Sequence, residues 1–173
     1  SAMRKETEHF FGHILDKNLP PREFLAADYS FLNRELAEHY GMPGLKGNHF
    51  RKVSLPNASR GGILGHASFL TASANGVDTS PVVRGIYVMN KLLDYTPPPP
   101  PDDVPAIEPD VRGANTLREQ LIKHRADATC AQCHNKIDPA GFALENYDAI
   151  GGWRDQYDRK LKVDSSGKLP NGQ

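Results

Sequence analysis

Apolar positions recur at helical spacing in several separate stretches of the chain. Phe10, Phe11, Ile14 and Leu15 predict a short amphipathic helix that residues 18–21 end. Leu25, Tyr29, Leu32 and Leu36 follow at spacings of four, three and four, with Pro20 and Pro21 ahead and Gly41 behind. That pattern predicts a second helix and, with the first, a helical hairpin. Residues 49–55 have weak strand character, and residues 61–70 predict a short helix with Ile63, His66, Ala67 and Leu70 on one side.

Further along, Ser80 before Pro81 is an N-cap followed by a first-turn proline, and Val82, Ile86, Met89 and Leu93 form the apolar stripe of a third clear helix. The prolines at 97–101 end it and predict a polyproline II segment, continued as an extended acidic strap to Asp110. Its simplest role is a semi-rigid spacer. Thr116 and Glu119 spell a capping box, and Leu117, Leu121 and His124 share one face of the helix it opens. Phe142, Leu144, Tyr147, Ile150 and Trp153 make an aromatic-rich, Gly-punctuated cluster, and a polar, loosely ordered tail is expected over residues 157–173.

Composition narrows the partners. The 173 residues carry 21 basic and 21 acidic side chains, so no basic field is available for nucleic acid or an anionic membrane. With 38% hydrophobic residues, a mean hydropathy of −0.56 and no apolar run near the roughly 20 residues of a spanning helix, a soluble chain without a membrane span is expected. Gly (15) and Pro (14) exceed the average of about 12% together, which predicts long loops between the helices. Ser1, Ala2 and Met3 resemble a cloning remnant with no signal peptide behind them, so the native leader is expected to lie outside this stretch of a longer polypeptide.

The two cysteines concentrate the chemistry. Residues 130–134 read Cys-Ala-Gln-Cys-His, the C-x-x-C-H attachment signature of c-type haem. On one helical turn, Cys130 and Cys133 can each form a thioether to a haem vinyl group, and His134 can place its imidazole under the iron. Three other readings stand beside this one. A thioredoxin-like dithiol needs a preceding strand, and here a capped helix precedes. Structural zinc needs four ligands, and no second ligand pair stands near the motif. The third is a pair of incidental thiols.

Around the motif the chain resembles a known family. His124-Arg125, the C-A-Q-C-H run, Ile137-Asp138-Pro139-Ala140-Gly141-Phe142-Ala143-Leu144-Glu145-Asn146-Tyr147-Asp148-Ala149-Ile150-Gly151 and Trp153-Arg154 are similar to the cytochrome c-like module of large planctomycete-type proteins built from runs of domains of unknown function. Residues 29–40, 60–64, 79–81, Arg84-Gly85 and the proline run resemble the same architecture, and residues 163–172 resemble the opening of the next domain in the series. The resemblance implies an extracytoplasmic haem c protein cut from a larger polypeptide.

The expected fold is therefore mainly α, a cytochrome c-like helical haem domain with long irregular loops and a polyproline strap. Residues 1–56 would end a preceding domain, residues 57–156 would form the haem domain, and residues 157–173 would begin a following one. One covalent haem c is expected on Cys130 and Cys133, with His134 as proximal iron ligand. Pro139 could offer its carbonyl to the His134 ring N–H. Arg84, Arg125 and Arg154 are candidates for the haem propionates, and Phe142 and Trp153 for an apolar wall. No Met or His follows His134, so a sixth ligand must come from upstream or from outside the chain, with His66 ahead of His124. Electron transfer to a redox partner or a neighbouring domain is the leading function. A haem enzyme with an open, peroxidase-like iron and a non-haem zinc or structural module are the alternatives.

Overall fold

The computed structural model describes residues 1–74, 76–99, 116–157 and 161–167. It is mainly α-helical with one small two-stranded sheet. The chain forms two compact units: residues 1–72 with 147–153, and residues 73–146 with 154–173. Among the described residues, no helix is long and apolar enough to cross a membrane.

The first unit starts with α1 (Ala2–Asp16), which buries Glu6, Phe10 and Ile14 on one face. The predicted second helix is instead three elements: α2 (Glu23–Ala26), strand β1 (Tyr29–Leu32) and α3 (Arg34–His39). β1 pairs antiparallel with β2 (Arg51–Ser54), Tyr29 opposite Ser54 and Leu32 opposite Arg51. The four-three-four spacing fits a helix, but a partner strand about twenty residues later overrides it, as long-range pairing does for aromatic-rich segments. Asn33 then accepts a hydrogen bond from the Leu36 N–H and restarts the chain as a helix. A 3-10 turn (Ile63–Gly65) and α4 (Ala67–Ala72) occupy the expected short helix, interrupted at His66 by extended backbone. Tyr147 and Trp153 close the unit as an isolated antiparallel bridge.

The second unit is organised around α5 (Pro81–Leu92) and α7 (Ala128–Phe142), with α6 (Leu117–His124) between them in sequence. Ser80 caps α5 through the Val83 N–H, and the Thr116–Glu119 capping box forms in full at α6. α5 and α7 run antiparallel, since Pro81 meets Gly141 and Gly85 meets Ile137. The glycines set the approach, because a Cβ on Gly141 would stand 1.7 Å from the Pro81 carbonyl oxygen.

Two expectations change here. The buried face of α5 is Pro81, Arg84, Gly85, Val88 and Met89, rotated from the predicted stripe, so that Ile86 is 38% and Leu93 59% exposed. Small Gly85 wins the contact with α7 over its larger apolar neighbours. Residues 161–167 of the tail are also more tightly held than their polarity suggests: Val163 is buried, and Arg118 pairs with Asp164 at 3.1 Å and donates to the Ser166 carbonyl; residues 158–160 and 168–173 lie outside the described residues. Residues 100–115, which carry most of the predicted strap, lie outside the described residues.

Candidate functional site

α7 decides how the motif is presented. Asp127 caps it, its side chain accepting from the N–H groups of Thr129 and Cys130, so the helix begins just ahead of the first cysteine. From there Cys130, Cys133, His134 and Ile137 recur at three, four and seven residues and share one face. That face lines a cavity of about 370 Å³ whose other walls are Val82 and Ile86 of α5, Thr96 and the prolines at 97–99, with His124 and Thr129 at its end. The walls are overwhelmingly apolar. Cys130 is buried, Cys133 half-buried, and both thiols are free.

This arrangement passes a fit test for a flat, largely apolar prosthetic group. Val82 and Ile86, which the sequence assigns to a core, stand on the cavity wall instead. Two thiols and an imidazole face the same space from one helix. A zinc site is not assembled: among the described residues, no three His, Cys, Asp or Glu side chains stand together as a metal cage. The proline segment, read from sequence as a spacer, contributes a wall.

His134 is held from behind. Its Nδ1 lies 2.9 Å from Oδ1 of Asp138, one helical turn on and fully buried. Arg125 Nε stands 3.7 Å from the other carboxylate oxygen, Oδ2, which has no hydrogen-bond partner among the described residues. Burial raises the Asp138 pKa above the ordinary carboxylate range, while the bond from His134 and the charges of His134, Arg125 and His124 pull it down. His124 meets His134 edge to face, ring centroids 4.8 Å apart.

Other predicted site residues serve elsewhere. Pro139 lies inside α7 rather than in a loop, and its carbonyl accepts the N–H of Ala143, so Asp138 replaces it as the partner of His134. Sequence could have shown this, because His134 and Asp138 are four apart once the helix continues past its proline. Arg84 is fully buried, its Nη1 donating to the Leu144 carbonyl. Arg154 pairs with buried Glu145 at 2.5 Å and donates to Thr79 at 2.8 Å. Burial raises the Glu145 pKa, and its hydrogen bond from Thr79 and the nearby cations Arg154 and Arg84 oppose that rise. Of the three arginines proposed for propionates, only Arg125 stands beside the site. Phe142 is buried beneath the Arg118 guanidinium, 3.9 Å from its ring centroid, and does not line the cavity.

Trp153 and His66 belong to the first unit. Trp153 stacks edge to face on Tyr147 and is 44% exposed. His66 is buried edge-on against Phe10, with Nδ1 3.0 Å from the Thr7 hydroxyl. Its Nε2 lies 4.0 Å from Glu6, but burial and nearby Arg60 push the imidazole pKa down to about 3, so it is neutral and forms no ion pair. Glu6 itself accepts from Ser30 at 2.6 Å and Tyr40 at 2.5 Å.

Fold and site together define a mainly helical domain whose C-x-x-C-H motif faces an apolar cavity. Residues 60–157 match the family profile PSCyt3, described as a protein of unknown function (DUF1588), and residues 1–42 match PSD4, described as a protein of unknown function (DUF1592). The chain belongs to the PSCyt3 family, a planctomycete cytochrome-like family of unknown function. Neither a curated protein nor a solved structure matches it.

Proposed function

We propose that the second unit is a c-type cytochrome domain that carries electrons through one covalently bound haem. The observation that carries this reading is the presentation of Cys130, Cys133 and His134 on one face of α7, across an apolar cavity from Val82 and Ile86. When bound, the haem supplies the one-electron ferric/ferrous couple. The chain's own residues do the rest. The two thiols anchor the porphyrin edge, His134 holds the iron, and Val82, Ile86, Ile137 and the prolines at 97–99 keep water from the macrocycle. His124 lines the same cavity and would be the candidate for a second iron ligand, once the haem parts its ring from that of His134. Arg125 is the nearby cation for a propionate.

Maturation by thioether attachment places the domain outside the cytoplasm, and the PSD4 match at residues 1–42 supports neighbouring domains of one polypeptide as the electron partners. The test is a redox titration of chain produced with haem-attachment machinery. A reversible ferric/ferrous transition of a low-spin haem that ignores carbon monoxide is expected. A high-spin haem that binds carbon monoxide at once would overturn the carrier role in favour of a ligand-binding or peroxidase-like one.

A further inference from the structure

The most costly group in the second unit's site is Asp138. It sits behind the cavity wall, fully buried, with one oxygen on His134 and the other lacking a hydrogen bond among the described residues. Removing a carboxylate from water costs several kcal/mol, about ten times what an i, i+4 pair returns on a helix surface. Position makes the cost worse. Asp138 lies four residues before the end of α7, where the helix dipole disfavours an anion further. Helix stability therefore does not explain the carboxylate. Arg125, at 3.7 Å from Oδ2, contributes charge without a hydrogen bond, so among the described residues the directional side-chain contact of Asp138 is with His134.

We propose that Asp138 is a positioning residue for His134, fixing the imidazole as the Nδ1–H tautomer and making Nε2 a more basic iron ligand that holds the haem potential low. The inference rests on the haem reading above and extends it from which residue binds iron to how that residue is tuned. A proton on Nδ1, donated to the carboxylate, leaves the lone pair on Nε2, the nitrogen free to ligate. The buried negative charge behind the ring favours electron density at Nε2. A more electron-rich ligand stabilises ferric over ferrous iron, so the Asp138 carboxylate would lower the potential without touching the cofactor.

The experiment has two arms on the full chain. Nitrogen-15 imidazole spectra of the haem-free protein report the His134 tautomer directly. Nδ1–H in wild type supports the proposal, and Nε2–H overturns it, whatever becomes of the haem. In haem-loaded protein, Asp138→Asn keeps an acceptor but removes the charge, and Asp138→Leu removes both. Midpoint potentials should shift upward in that order, while covalent haem content stays at the wild-type level. An unchanged potential in Asp138→Asn would overturn the proposal. Absence of covalent haem from wild type would instead overturn the haem reading, with the tautomer arm still deciding what Asp138 does to His134.

Discussion

Gly141 of α7 lies so close to Pro81 of α5 that an added Cβ would stand 1.7 Å from the Pro81 carbonyl oxygen. The same helices touch again at Gly85, whose Cβ would fall 2.2 Å from the Ile137 carbonyl oxygen. Backbone cannot yield as a flexible side chain can, so α5 and α7 must part. Gly141→Ala and Gly85→Ala should each cost about 3 kcal/mol in urea unfolding, at the upper end for overpacking. Gly12 in α1 has nothing within 4 Å of its Cβ, and Gly12→Ala should stabilise by about 0.5–1 kcal/mol.

His124 and His134 line one cavity, ring centroids 4.8 Å apart. With His124 as the second axial ligand, His124→Ala should turn a low-spin haem high-spin and admit carbon monoxide. His66→Ala should leave the spectrum alone, because that ring is spent on Thr7 and Phe10 in the first unit. Optical spectra with and without carbon monoxide separate the two.

Glu6 and His66 give the first unit opposed pH dependences. Burial pushes Glu6 from 4.5 up to about 7, so its contribution is present below pH 4.5 and lost as pH rises through 7. His66 is pushed from 6.5 down to about 3, so its contribution is present above pH 6.5 and lost as pH falls toward 3. Between pH 4.5 and 7 the two nearly cancel. Glu6→Gln should unmask a stability that rises by about 3 kcal/mol from pH 4.5 to 8, and His66→Asn one that falls by a similar amount. The single tryptophan, Trp153, lies in this unit, and its fluorescence during urea unfolding follows the change.

Arg154 and buried Glu145 form a 2.5 Å ion pair with Thr79 beside it. Glu145→Ala strands the cation and should cost about 3 kcal/mol. Arg154→Lys, which loses the forked contacts to Thr79 and Glu145, should lower stability and leave the haem spectrum unchanged. A propionate ligand would instead shift the spectrum or the potential.

Much of this was legible in short-range pattern. The Thr116–Glu119 box, the Ser80 cap before Pro81 and the amphipathic α1 are local devices whose partners lie within four residues. The shared face of Cys130, Cys133 and His134 follows from the helical repeat alone. What sequence did not disclose depends on distant partners. Tyr29–Leu32 became a strand because Arg51–Ser54 paired with it. The face of α5 turned because Gly85 admits the backbone of α7 more closely than Val82 or Ile86 could. Asp138 escaped notice because Pro139 reads as a helix end, yet α7 runs on to Phe142 and brings the carboxylate one turn below His134. Arg84 and Arg154 read as propionate candidates, yet the Leu144 carbonyl and the Glu145 carboxylate bind them inside the unit.

The central claim is that Cys130 and Cys133 bind haem covalently. Mass spectrometry of proteolytic peptides from chain made with haem-attachment machinery tests it most directly. One haem is expected on the peptide that contains both cysteines, surviving acid-acetone extraction and absent from the Cys130→Ala, Cys133→Ala double variant. A peptide with two unmodified thiols, from protein whose colour is extracted by acid-acetone, would contradict it.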